Sequence, residues 1–142
     1  MITNFIGLSS IFYLIGESFF FNVSIIMLFV GTIFIPFNFN TKYKLFLGDV
    51  GSIPSGFILG WMIISLINMG YFLSAVLLNL FFIIDISYTL IERIFKKKSI
   101  FERHNDFLFK KYILNYGPKK YYSYAILFQS IMILLSIIFI VY

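Results

Sequence analysis

The chain contains no cysteine and a single histidine, His104. The first absence excludes disulfides, thiol catalysis and cysteine-ligated metals, and the second excludes a multi-histidine metal site within one chain. Charge is scarce too. Only 12% of the 142 residues are Asp, Glu, Lys or Arg, and just 6 of them are acidic. A soluble domain carries about a quarter charged residues. What fills the space is apolar: 61% of residues are hydrophobic, 22% are aromatic and the mean hydropathy is +0.96. With long apolar runs, this composition specifies an integral membrane protein.

The runs divide the chain into about five expected spans in a single transmembrane domain over 1–142: about 5–20, 23–37, 52–68, 71–94 and 121–142. The first lacks the basic leader and small-residue cleavage pattern of a signal peptide. Glu17 and Asn22 mark a polar turn after it. Pro36 and the Asn-Phe-Asn that follows are expected to end the second span. Ser52 reads as the N-cap of the third, with Pro54 in its first turn, where a missing N–H is harmless. Ser52, Gly56 and Gly60 recur every fourth residue, a small-residue face that admits another helix, either inside the bundle or in a dimer. Asn68-Met69-Gly70 reads as a tight turn, and Tyr121, Tyr122 and Tyr124 as interfacial anchors.

All 11 Lys and Arg residues fall in two stretches separated by two spans, Lys42 and Lys44 in 38–51 and the remainder in 93–120. Both stretches therefore lie on one side. The positive-inside rule makes that side cytoplasmic, so loops 38–51 and 95–120 and the N-terminus are expected inside and the C-terminus outside. The net charge of +5 is explained by this pattern and by anionic headgroups, and it excludes nucleic acid as the natural partner. Residues 104–116 read as an amphipathic interfacial helix, with Asn105 or Asp106 as its cap, Asp106 and Lys110 as an i,i+4 pair and Gly117-Pro118 as its stop. The expected fold class is thus all-α, a polytopic membrane protein lying in the bilayer.

Chemistry concentrates at Phe46-Leu47-Gly48-Asp49-Val50-Gly51-Ser52. Glycines allow backbone N–H groups to approach an anion, and a helix N-terminus favours phosphate. Asp49 suits Mg²⁺, which takes one or two carboxylates together with substrate phosphates. As an alternative, a Gly-Asp turn is simply a common way to start a helix. Asp85 stands inside an apolar span, where a carboxylate has either a functional or a bundle-internal structural role. His104 belongs to the basic stretch and is either a site residue or a solvated loop residue, and Arg103, Lys110 and Lys111 are candidates to reach a phosphate.

The run Phe37-Asn38-Phe39-Asn40, followed by Lys44-Leu45-Phe46-Leu47-Gly48-Asp49-Val50-Gly51-Ser52, resembles the signature of the polyprenyl-phosphate N-acetylhexosamine-1-phosphate transferases (membrane glycosyltransferase family four). That family includes the undecaprenyl-phosphate GlcNAc-1-phosphate transferases and the phospho-MurNAc-pentapeptide transferase. Asp85 with Glu92-Arg93, and Ser99-Ile100-Phe101-Glu102-Arg103-His104, are similar to the family's later helix and its histidine loop. The likeness covers most of 30–142, the C-terminal half of the fold. It implies transfer of a sugar-1-phosphate from a UDP-amino-sugar to polyprenyl phosphate with release of UMP, in a bacterial plasma membrane, for cell-wall or surface-polysaccharide synthesis. It implies Asp49 as ligand of Mg²⁺ (or Mn²⁺), Gly48, Gly51 and Ser52 as the shape of the turn, Asn38 or Asn40 on nucleotide or sugar, and His104 on the diphosphate, with Arg103 beside it in substrate binding.

The pattern also departs from the family. An Asp-Asp pair in an earlier loop has no counterpart here. Thr3-Asn4-Phe5-Ile6 runs directly into Gly7-Leu8-Ser9, where the family carries an Asn-Phe-x-Asp-Gly-x-Asp-Gly block. Phe107 stands where a second histidine is common. Three readings follow: a transferase, as a homodimer or not, in which another chain or an omitted N-terminal part supplies the missing aspartates, a truncated relative that binds lipid phosphate or nucleotide sugar without turnover, and a small non-catalytic membrane subunit or scaffold.

Overall fold

The computed structural model describes residues 1–39, 47–97 and 108–141, and in them the backbone is helical apart from short turns. The helices are α1 (Ile2–Ile15), α2 (Ser18–Phe39), α3 (Gly48–Asn68), α4 (Phe72–Phe95), α5 (Leu108–Tyr116) and α6 (Pro118–Val141). Four of them, α2, α3, α4 and α6, are long and apolar enough to cross a bilayer. Their lateral faces carry large exposed apolar side chains, such as Phe29, Ile33, Phe57 and Leu134, which suit contact with lipid tails. The all-helical, polytopic membrane class read from composition therefore holds.

The first expected span is the exception. α1 has 14 residues, about 21 Å at the helical rise, against a hydrocarbon thickness of about 30 Å. Its role is internal packing. Phe5, Leu8, Ile11 and Phe12 are fully buried, and they form the core together with Met27 of α2, Met62 and Leu66 of α3, and Ala75 and Leu78 of α4. The shortest apolar helix is thus the centre of the bundle. Gly7 allows this: a Cβ there would lie 2.5 Å from Leu78 Cδ2 and 3.0 Å from Ile133 Cγ1, so α1 approaches α4 and α6 closely because position 7 carries no side chain.

Turn chemistry sets the helix ends. Gly16 is left-handed, with φ 85°, and the N–H groups of Gly16 and Glu17 both donate to Phe12 O, closing α1 as a Schellman-type cap. The polar turn therefore lies at Gly16–Glu17, and Asn22 is inside α2. Pro36 is also inside α2, which runs on to Phe39. Gly70, with φ 93°, makes the expected turn between α3 and α4, where Tyr71 N–H donates to Leu66 O. Gly117 stops α5 as expected, its N–H donating to Ile113 O.

α3 starts four residues before the expected Ser52 cap. Gly48 adopts φ 59° and opens the helix, so Ser52 lies within its second turn and Pro54 sits inside it. Pro54 has no N–H for the Val50 carbonyl, so the helix passes through it with one hydrogen bond fewer. One residue further on, the Ser55 hydroxyl donates to Gly51 O at 2.7 Å.

Polar contacts stitch the apolar bundle together. Asn4 Nδ2 donates to Asn79 Oδ1 at 3.2 Å. Gln129 Nε2 donates to Asn4 Oδ1 at 3.2 Å and to Leu78 O at 2.8 Å. Ser74 and Ser136 exchange hydroxyl-to-carbonyl bonds of 3.1 and 3.2 Å. These link α1, α4 and α6 where no water competes, and satisfying each such group inside the bundle is what the bilayer interior demands.

Candidate functional site

The chain gathers its polar ends at one face. A cavity of about 500 Å³ is lined by Met1 and Thr3 of the N-terminus, Asn38 at the end of α2, Leu47 and Ser55 at the start of α3, Tyr121 and Tyr122 at the start of α6, and Gln129 below them. Its remaining walls are mostly apolar, with Val30, Phe34, Phe81 and Ile126 among them. The N-terminus and the segments flanking both basic stretches therefore share one end of the bundle, as the alternation of charge predicts.

The Gly48–Ser52 stretch is the rim of this face, and it is helix rather than loop. Asp49 stands in the first turn of α3, where the exposed N–H groups and the helix dipole favour a negative charge. Gly51 has a packing reason: a Cβ there would lie 2.6 Å from Leu47 Cγ, so the glycine lets Leu47 fold back and line the cavity. Asp49 and Ser52 are exposed and do not line it. They share a face of α3 with Gly56 and Gly60, while Ser55, Met62 and Leu66 form its buried face. Among the sequence-derived site residues, the structure thus brings Asn38 into the cavity, sets Gly48 and Gly51 at its edge, and turns Asp49 and Ser52 outward. Asn40, Arg103 and His104 lie outside the described residues, as do Asn105 and Asp106.

Among the described residues no three His, Asp or Glu side chains cluster to hold a metal. Asp49, with the Ser52 hydroxyl close along the helix, offers one carboxylate. That fits Mg²⁺ only in the mode in which the ion keeps its waters and takes most other ligands from phosphates.

A second polar centre ties α5 to the bundle. Glu92 near the end of α4 accepts from Lys96 at 2.6 Å and is ion-paired with Lys111 of α5. Beside it, Tyr112 packs against Tyr116, Tyr121 and Tyr124, with ring centroids 4.7, 6.1 and 6.2 Å away. Desolvation among these rings, with Tyr124 and Tyr116 adding to it, raises the Tyr112 phenol above its ordinary value. The tyrosines read as interfacial anchors are thus also a docking surface for α5. Their spacing along α6 gives no sign of this, because the partner ring comes from another helix. The Asn4–Asn79–Gln129 set was equally hidden, although isolated amides within apolar spans are the signal that marks such residues.

The long apolar helices and the shared polar face define a polytopic membrane protein. The model of glycosyl transferase family 4 matches residues 1–67, a little under half of the chain, consistent with a partial member of that family. The match contains the Gly48–Ser52 stretch. It also reaches back to residue 1, upstream of the 30–142 on which the sequence likeness rests, and it ends before Asp85 and His104. No curated protein and no solved structure matches the chain.

Proposed function

We propose that this chain takes part in moving a sugar-1-phosphate from a UDP-amino-sugar to polyprenyl phosphate, with release of UMP. The observation that carries the reading is the placement of the Gly48–Ser52 stretch. The part of the chain matched by the family puts a carboxylate on the first turn of α3, at the rim of a largely apolar cavity that opens among the polar ends of the helices. An amphiphilic acceptor, with a phosphate at the surface and an isoprenoid tail in the bilayer, is the substrate class such an edge suits. Bound Mg²⁺ would neutralise charge on the diphosphate. Asp49 holds the ion, Asn38 in the cavity wall contacts nucleotide or sugar, and Gly48 and Gly51 keep the rim low enough for phosphate oxygens to approach backbone N–H groups. Asn40, Arg103 and His104 complete the substrate contacts in this reading. The bacterial plasma membrane is the expected setting.

Membranes containing the chain should release UMP when given a UDP-amino-sugar, undecaprenyl phosphate and Mg²⁺. Asp49→Asn should abolish the release and leave the protein level unchanged, because Asp49 is exposed. One observation favours a second reading. Among the described residues no three His, Asp or Glu side chains cluster and no carboxylate lines the cavity, which suits a protein that binds nucleotide sugar without turnover. Mg²⁺-dependent binding of UDP-sugar with no UMP release would select that second reading. Neither binding nor release would refute both and leave the non-catalytic membrane subunit.

A further inference from the structure

We propose that the inner end of the 500 Å³ cavity seats a lipid alcohol, a neutral molecule with an apolar body and one hydroxyl, whose O–H donates to the side-chain oxygen of Gln129.

The chain of buried amides sets this direction. Backbone carbonyls only accept, so they fix which way each side-chain amide points. Asn79 Nδ2 donates to Ala75 O at 2.9 Å, which leaves Asn79 Oδ1 to accept from Asn4 Nδ2. Asn4 Oδ1 in turn accepts from Gln129 Nε2, which also donates to Leu78 O. Both hydrogens of the Gln129 amide are then used, and its Oε1 accepts from no other described residue. Gln129 is 4% exposed and stands in the cavity lining. Its nitrogen is turned to α1 and α4, so the oxygen is the group left for the cavity. At about 16 Å along α6 no bulk water reaches such an acceptor. A buried amide oxygen without a donor is a costly exception in a native structure.

The walls decide what the donor is carried on. Val30, Phe34, Ile35, Phe81, Phe82 and Ile126 supply most of them, and no lining side chain carries a formal charge. A phosphate or an ammonium group would enter without a counter-charge. A sugar would bring several hydroxyls to one open acceptor. Water is a poor filling: each molecule takes about 30 Å³ and needs two to four polar partners, and cavities walled by apolar side chains stay dry. A volume of about 500 Å³ is in the range of small-molecule sites. Val30 and Ile126 are both more than half exposed on helices long enough to cross a bilayer, so the cavity borders lipid and an apolar body reaches it from the side. This inner seat is distinct from the α3 rim, where the transferase reading places charge, and does not depend on that reading.

The test is native mass spectrometry of the full chain in lauryldimethylamine oxide, a detergent without a hydroxyl, titrated with geranylgeraniol and with its methyl ether. The two share a chain and differ in the O–H. The alcohol should bind about tenfold more tightly, the worth of one hydrogen bond in a dry site. This comparison uses the unaltered protein and needs no variant to fold. Gln129→Met, of similar length but without the acceptor, should bind alcohol and ether equally. Equal binding of the two by the unaltered protein overturns the proposal and leaves the Gln129 oxygen to water. A preference for the alcohol that survives in Gln129→Met overturns it too, because the hydroxyl would then be held elsewhere.

Discussion

Single residues in this protein act mostly through what a bilayer denies them. Asn4 is 1% exposed, and its amide is shared between Asn79 and Gln129. Asn4→Leu leaves the Asn79 oxygen without that donor, while Gln129 keeps its bond to Leu78 O. The expected loss is about 1 kcal/mol, the scale of interhelical hydrogen bonds in membranes. Asn4→Leu combined with Asn79→Leu should cost less than the sum of the two, because it removes both polar partners together. Steric-trapping measurements of unfolding in bicelles check both values. Tyr112 makes a pH-dependent contribution. Its folded phenol titrates above the ordinary value, so above about pH 10 the unfolded phenol ionises first. Docking of α5 should be fully present below that pH and weaken as pH rises through it. Tyr112→Phe should lessen the loss, read as protease sensitivity of α5 against pH.

Elements differ in how far the sequence disclosed them. The long apolar runs and the Gly70 and Gly117 turns were legible, because length and glycine punctuation are local properties. The ends of α2 and α3 were not. Pro36 and Pro54 look like boundaries, but a proline near a helix end loses only one hydrogen bond, and the helix passes through. α1 marks the limit of hydropathy, which shows an apolar helix but does not distinguish one facing lipid from one buried by its neighbours. The glycines make the same point. Gly7 and Gly56 look alike in sequence, yet a Cβ at Gly7 would meet Leu78 at 2.5 Å while Gly56 and Gly60 have nothing within 4 Å. Leu78 is fully buried and has little room to move. Gly7→Ala should therefore destabilise by about 1–3 kcal/mol through overpacking. Gly56→Ala should stabilise an isolated chain by about 0.5–1 kcal/mol, through the backbone freedom it removes. Thermal melts of the two variants in the same detergent compare them directly. A fall in stability for Gly56→Ala would show that another helix uses the Gly56–Gly60 face, the dimer alternative for that small-residue stripe.

At the scale of the whole molecule, the candidate site depends on which ends meet. Antiparallel turns at Gly16 and Gly70 bring the N-terminus, the end of α2, the start of α3 and the end of α4 to one face, and the cavity lined by Met1, Asn38, Leu47 and Tyr121 joins the first three of these segments to the start of α6. This holds whether or not α1 crosses the bilayer, because α1 and α2 form a hairpin inside the bundle. The positive-inside rule predicts the compartment: the excess of Lys and Arg in the basic stretches favours the cytoplasm for that face. A native chain without cysteine allows a direct test, since every introduced thiol is the sole target. Val50→Cys, at a position 91% exposed, and Lys97→Cys, in the exposed turn after α4, sit on the proposed cytoplasmic face. Asn68→Cys, at the end of α3 beside the Gly70 turn, sits on the other. In intact cells a membrane-impermeant maleimide should label Asn68→Cys alone, and in inside-out vesicles it should label the other two. Labelling of Val50→Cys and Lys97→Cys from opposite sides would break the shared face, and the Asp49 rim and the Glu92–Lys111 pair would then lie in different compartments. Labelling of both from outside would keep the shared face but invert it, placing the rim where a nucleotide sugar from the cytoplasm does not reach.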